Sequence, residues 1–245
     1  MCLIVFDWQP SKQLLLAANR DEFYQRPAAA MHIWPEQPSI LAGRDLTQGG
    51  TWLGINRTGR IAMLTNVRTP DPAPEQPRSR GELVLQFLAG SAEPQDYLAE
   101  IDGAHYGHFN FICGDLSQLW YFSNHGGNAA TQITAGIHAL SNAQLDTPWP
   151  KAELAKQQLR DWSSTELPLG LLNRRQPFAD EILPNTGVAQ TLERQLSAQH
   201  IHISDHYGTR CQTAVKLLPQ DVWIAEQGFD NLAQVTHQCQ WHWSL

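Results

Sequence analysis

Cys2 directly follows the initiator methionine, so removal of Met1 leaves a cysteine carrying both a thiol and a free α-amine. One residue then supplies a nucleophile and its base. A peptide α-amine titrates at about 7.7–8.0, which keeps a useful fraction neutral at cellular pH. A thiol with an unperturbed pKa near about 8.5 needs such help to ionise. The competing reading is a small apolar residue that opens a buried strand. A nucleophile at Cys2 requires three further things: a group to hold the amine, donors for an oxyanion, and a cation near the sulfur.

Candidates for each exist along the chain. Asn19-Arg20-Asp21-Glu22 closes the apolar run that follows Cys2. A hairpin turning at Pro10-Ser11 sets this cluster opposite Cys2, with Arg20 to lower the thiol pKa and Asp21 to accept from the ammonium. The same four residues also read as a polar turn facing water. Asn66 and Asn142 each follow an apolar strand, where an amide suits either an oxyanion donor or a turn. Arg210 opens a late strand. Trp52, Arg68, Asn19 and Glu22 complete the candidate set as substrate contacts.

These residues must be held by strands. Cys2 to Phe6 is a continuous apolar run, as expected of a strand covered on both faces. A second run, Leu14 to Ala18, follows the Gln9-to-Lys12 turn. Thr51 to Ile55 and Ile61 to Thr65 form another hairpin around Asn56-Arg57-Thr58-Gly59. Four prolines between Thr69 and Pro77 predict an extended loop, a candidate lid. Ser79 and Glu82 match a capping box for a helix whose apolar face holds Leu83, Val84, Phe87 and Leu88. Further helices are predicted near Pro94 to Ile101, over Lys151 to Trp162 and over Val188 to Leu196. Strands are expected at Phe109 to Cys113, Leu119 to Phe122, Ile133 to Leu140, Thr213 to Leu218, Val222 to Glu226 and Ala233 to Trp243. The last alternates, with Val235, His237, Cys239, Trp241 and Trp243 on one face. Hairpins dominate and no linker stands out. The expectation is therefore one domain over residues 1–245, an α+β fold with two mainly antiparallel sheets face to face and helices outside.

Bulk composition narrows the function. A hydrophobic content of 42% and a charged content of 17% are ordinary for a soluble globular protein. The net charge of −7 argues against a general nucleic-acid binder. The 80 N-terminal residues nevertheless carry a net +2, and eight of their nine cations are arginines, suited to carboxylates or phosphates. No apolar run has the roughly 18–20 residues of a membrane span, and the N-terminus lacks signal-peptide features, so a cytoplasmic protein is expected. The four cysteines show no CxxC spacing. His200-x-His202 lacks a specified third ligand, and no metal site is predicted.

Taken together, Met1-Cys2, Asn19-Arg20-Asp21-Glu22, Thr51-Trp52-Leu53-Gly54, Thr65-Asn66-Val67-Arg68, Leu140-Ser141-Asn142, the stretch 145–151 (LDTPWPK) and Gly208-Thr209-Arg210 resemble the NRDE protein family, which includes the animal transport-and-Golgi-organisation proteins. The layout is also similar to the cysteine branch of the N-terminal-nucleophile hydrolases, the bile-salt hydrolase and penicillin V acylase group. That resemblance implies a four-layer αββα sandwich. It makes Cys2 the nucleophile, Asp21 the residue holding the α-amine, and Arg20 the cation near the thiol. Asn66, Asn142 and Arg210 would be its remaining site residues. The first asparagine comes earlier here than in that group, and the arginine–aspartate separation is shorter.

Two functions follow. One is Cys2-dependent hydrolysis of an amide or thioester in a small amphipathic substrate, with no cofactor required. The other is ligand binding, since the NRDE resemblance implies haem trafficking or acyl-CoA and lipid handling; haem is then a possible bound ligand. Such ligands join an apolar body to anionic groups, which the arginines and the 9 tryptophans suit. Ten histidines offer axial candidates, among them His105, His108, His200, His202 and His206, but no CxxCH motif exists for covalent attachment.

Overall fold

The computed structural model describes residues 2–127 and 129–245. Met1, on whose removal the free amine depends, lies outside them. Among the described residues, fourteen strands form two antiparallel sheets. The first contains β1 (Cys2–Gln9), β2 (Gln13–Phe23), β10 (Gly136–Leu140), β11 (His202–Ile203), β12 (Tyr207–Leu217), β13 (Asp221–Phe229) and β14 (Val235–Ser244). Its order is β10-β1-β2-β12-β13-β14, with β11 added against β12. The second sheet is a meander of β3 (Ala28–Trp34), β4 (Gln37–Asp45), β5 (Leu53–Asn56), β6 (Ile61–Asn66), β7 (Phe109–Gly114), β8 (Leu119–Ser123) and β9 (Thr131–Gln132), paired in chain order.

Strand periodicity decides what each face meets. Ile4, Phe6 and Trp8 of β1, with Leu14 and Leu16 of β2, point at the second sheet and pack with Leu53, Ile55, Ile61, Met63 and Ile112. The alternate residues Leu3, Val5 and Ala17 point outward and are covered by Ala152, Ala155 and Leu159 of α3 (Pro150–Arg160). On the far side, Leu83, Val84, Phe87 and Leu88 of α1 (Gly81–Ala89) bury the outer face of the second sheet through Ala62, Leu64 and Phe111. Two shorter α-helices, α2 (Pro94–Ala99) and α4 (Gln190–Leu196), and two 3-10 turns, Gly103–His105 and Asp180–Ile182, are also found among the described residues. The result is the expected four-layer αββα sandwich. Burial on both faces accounts for the unbroken apolar runs in β1 and β2.

The structure corrects several local expectations. β2 does not stop at Ala18 but runs to Phe23, because it pairs with β1 on one side and β12 on the other. Asn19-Arg20-Asp21-Glu22 is thus strand, not turn. Strands β3 and β4 had no clear sequence signal. The strand expected from Ile133 to Leu140 is shorter: β9 ends at Gln132 in the second sheet, and β10 begins only at Gly136, at φ 138°, in the first. Ser79 does not cap α1. The N-cap is Arg80, without a side-chain cap bond, and Glu82 instead accepts from the Tyr106 hydroxyl at 2.7 Å and pairs with Arg78 at 2.6 Å. Residues 69–77 are irregular, as the prolines predict.

Candidate active site

Register sets the site. Cys2 on β1 lies directly opposite Arg20 on β2, and Arg20 opposite Cys211 on β12. Facing residues of antiparallel strands share a face, so Cys2 and Arg20 both point between the sheets. They meet a cavity of about 210 Å³. Its wall includes Asp21, Glu22, Trp52, Asn66, Thr51 and Arg80, together with the Arg26–Asp45 ion pair at 2.7 Å. The Arg20 guanidinium lies 4.2 Å from the Trp52 ring centroid. It is 6% exposed, one nitrogen sits 3.9 Å from Glu22, and the other has no hydrogen-bond partner among the described residues. A buried guanidinium nitrogen left this way calls for an acceptor from a ligand.

Two glycine contacts let the elements close around this cavity. A Cβ on Gly43 would overlap the Trp52 ring, so glycine there lets the indole lie flat against β4. Gly50 and Gly81 stand back to back, with Thr51 N–H donating to Gly81 O at 3.2 Å. Their contact brings the N-terminus of α1, with Ser79, Arg80 and Gly81, to the cavity wall. The partial positive charge of a helix N-terminus adds to the arginines there.

Burial pushes the Cys2 thiol above its ordinary value and the Asp21 carboxylate adds to this, while the Asp21 amide and Arg20 act in the opposite direction. Asp21 is 1% exposed. Burial raises its pKa too, against the pull of Lys151, Thr209 and Arg20. Thr209 Oγ1 donates to Asp21 Oδ1 at 2.7 Å, and the Tyr207 hydroxyl donates to Asp21 O at 3.0 Å. Lys151, at 2% exposure, donates to Leu196 O at 3.0 Å. Burial, with Arg68 nearby, lowers its pKa to about 8.

The structure brings Cys2, Arg20, Asp21, Glu22, Trp52 and Asn66 to one cavity, and places four other candidates away from its wall. Asn142 Nδ2 donates to Asn66 O at 2.8 Å, so its amide is spent on holding the Asn66 backbone. Ser141 Oγ donates to Cys2 O at 3.0 Å, fixing the strand from the other side. Arg68 forms a buried ion pair with Glu193 at 2.5 Å. Arg210 Nη1 donates to the carbonyls of Phe23, Tyr24 and Arg26 at 3.0–3.2 Å, which fastens the turn after β2. Asn19 alternates to the outer face, where it donates to Leu172 O and Gln199 O. Sequence reasoning missed Lys151, Thr209 and Arg80. Lys151 and Thr209 sit inside recognised stretches, but nothing local marks a lysine as buried. Arg80 was visible only as one of eight early arginines.

Residues 1–230 match the family model described as Transport and Golgi organisation 2. The chain belongs to this family. The bovine and human Transport and Golgi organization protein 2 homologs are each 40% identical to it over 173 residues, covering 64% of this chain and 62% of theirs. The chain thus spans about three fifths of the length of those mammalian relatives. The Drosophila melanogaster family member is 27% identical over 253 residues, covering 88% of this chain and 87% of its own. Among solved structures, a mutant of the conjugated bile acid hydrolase of Clostridium perfringens superposes over 98% of this chain and 92% of that one, with a TM-score of 0.50 at 7% identity. At that identity the likeness is one of fold: the two chains share the layered sandwich. No helix of the described residues is long and apolar enough to cross a membrane.

Proposed function

We propose that the protein hydrolyses an amide or thioester bond in a small amphipathic, anionic substrate, with Cys2 as the nucleophile. The observation that carries this reading is the pairing of Cys2 with Arg20 on the floor of a cavity whose buried guanidinium nitrogen awaits an acceptor. The cavity accommodates a reacting group and an anionic end, since 210 Å³ is below the roughly 300–1,000 Å³ of pockets that enclose a whole drug-sized ligand. The apolar remainder of a substrate extends past Trp52 and Leu64.

The proposed chemistry starts once Met1 is removed. The neutral α-amine of Cys2 takes the thiol proton, and the sulfur attacks the acyl carbon. The Asn66 side chain and backbone amides stabilise the oxyanion. The C–N or C–S bond breaks as the ammonium, held by Asp21, returns its proton to the leaving amine or thiol. A thioester on Cys2 remains. Water then gives a proton to the amine and attacks the thioester, releasing the carboxylic acid and restoring the thiol. Thr209 and Lys151 favour the ionised form of Asp21 against its burial. Asn142 and Arg210 act as positioning residues.

The test combines intact mass with turnover. Protein from its native host should lack Met1, and N-acyl amino acid and acyl-thioester panels should be cleaved by the wild type but not by Cys2→Ala. Retention of Met1, or turnover unchanged in Cys2→Ala, would falsify the mechanism. Haem or acyl-ligand binding is the second reading, favoured by the same anion-seeking wall. No histidine is among the described residues lining the Cys2 cavity, so Cys2 would be the residue there to hold a haem iron through its sulfur. A haem titration whose Soret shift disappears in Cys2→Ala supports that reading.

A further inference from the structure

The row that contains Cys2 continues across the sheet. Arg20 pairs with Cys211, Cys211 with Gly228, and Gly228 with His237, all on the face that meets the second sheet. The next row holds Thr213, Glu226 and Cys239. At about 4.8 Å per strand, His237 stands about 19 Å from Cys2, well outside the reacting cavity.

We propose that Glu226, His237 and Cys239 form a binding site for a zinc-class divalent metal ion. Their carboxylate oxygen, imidazole nitrogen and thiol sulfur all lie within 4.8 Å of one another. A borderline ion is the match for one oxygen, one nitrogen and one sulfur donor. The His237 Nε2 and Glu226 Oε1 atoms are 3.4 Å apart. That is long for an N–H···O bond, yet two such donors around a tetrahedral zinc stand about 3.3 Å apart given bonds of about 2.0 Å. The Cys239 sulfur makes only weak contacts, at 3.7 Å to Glu226 O and 3.9 Å to Met31 O. The 4.8 Å that bounds the three ligand atoms is about 1 Å more than the roughly 3.6 Å that a sulfur ligand requires, a gap that a change of the Cys239 side-chain torsion closes.

Four features bear on a cation here. Glu226 is 1% exposed between the sheets; Met31 N–H donates to it at 2.7 Å, Thr213 stands at 3.4 Å, and the Cys211 side chain also hydrogen-bonds it. None of these donors carries a charge, and a buried carboxylate gains from a cation in direct contact. Gly228 has no side chain where the His237 ring lies; a Cβ there would overlap the ring, so this glycine seats the imidazole over β13. His237 Nδ1 is 3.2 Å from the Thr236 hydroxyl, the type of outer bond that fixes a ligating ring with Nε2 inward. A cavity of about 170 Å³ opens beside Glu226 and His237; Ala28, Ala29 and Ala30 line one part of it and leave room for water at a fourth position, while Arg20, Trp52 and Arg210 line the part towards the Cys2 site. From the sequence no metal was expected, because the ligands come from two strands and are joined only by register.

The experiment is a Co(II) titration of the full, untagged, chelator-stripped chain in a non-thiol reductant. The expected result is one equivalent bound, with a near-ultraviolet sulfur-to-cobalt charge-transfer band that Zn(II) abolishes. The band should persist in Cys2→Ala and vanish in Cys239→Ser, and affinity should fall at least about tenfold in His237→Asn. Both substituted positions are half-exposed on the edge strand β14, so the variants fold, and thermal melts of the metal-free forms check this. Absence of the band in the wild type overturns the site. So does a band unchanged in Cys239→Ser, or one lost in Cys2→Ala, which would put the metal on the nucleophile. If Cys239→Ser fails to fold, an affinity unchanged in His237→Asn overturns the site equally.

Discussion

At the scale of single residues, the site depends on charges held where water does not reach. Replacing Cys2 by Ala should reduce turnover at least about a thousandfold and leave the thermal midpoint nearly unchanged, since the thiol makes no packing contribution to the core clusters. A calorimetric scan beside the kinetic assay separates the two. Lys151 gives a pH prediction of definite sign. Its pKa falls from about 10.5 in the unfolded chain to about 8 when folded. Below pH 8 both states hold the proton and the full cost of burying the ammonium is present. Between about 8 and 10.5 the unfolded chain binds the proton that the folded state has released, so stability rises with pH. Relative to Lys151→Met, the wild type should gain about 2 kcal/mol between pH 7 and 9.5 in urea unfolding. A difference that stays flat with pH would contradict a buried, depressed lysine. Asn142→Ala should cost about 1–3 kcal/mol and lower kcat more than it raises KM, because Asn66 O loses its donor and the oxyanion side of the cavity shifts. An unchanged kcat would remove Asn142 from the positioning set.

At the scale of elements, the cavity exists because a helix end and a strand approach more closely than side chains permit. A Cβ on Gly50 would meet the Gly81 backbone at 2.5 Å. Gly50→Val should therefore push the start of α1 off β5, and its effect should appear as weaker anionic-ligand binding and a loss of about 1–3 kcal/mol. Hydrogen exchange along α1 reads the displacement directly; protection unaltered from Gly81 to Leu83 would show that the contact is not what holds the helix. The extension of β2 through Asp21 is the other decisive element. Pairing on both edges holds four polar residues in extended backbone, and strand alternation then sends Arg20 and Glu22 to the cavity while Asn19 anchors the outer layer.

At the scale of the whole molecule, the inter-sheet core is what keeps the two halves of the site together. Cys2, Arg20 and Asp21 belong to one sheet, and Trp52 and Asn66 to segments of the other. Phe6, fully buried in the shared core, should cost about 3–5 kcal/mol when replaced by Ala. Because the same packing sets the spacing across the cavity, activity should fall in step with stability below the unfolding transition. Guanidinium unfolding and kinetics on one preparation test this, and full activity in a strongly destabilised Phe6→Ala would show that the sheets keep their spacing without it.

By itself the sequence marked Cys2 as the candidate nucleophile, the strand that carries it, the layered antiparallel class and the cavity residues Arg20, Asp21, Glu22, Trp52 and Asn66. These follow from local signals: position in the chain, continuous apolar runs and recognisable stretches. Tertiary structure decided the rest. Whether Asn142, Arg68 and Arg210 face a substrate or brace the backbone depends on which carbonyl or carboxylate a distant segment brings within reach, over separations as long as the 187 residues between Phe23 and Arg210. Ser79 reads as a helix cap until Tyr106 and Arg78 claim Glu82. The burial of Lys151, and the alignment of Glu226, His237 and Cys239, come from register and layer packing, which are long-range properties that no local spacing encodes.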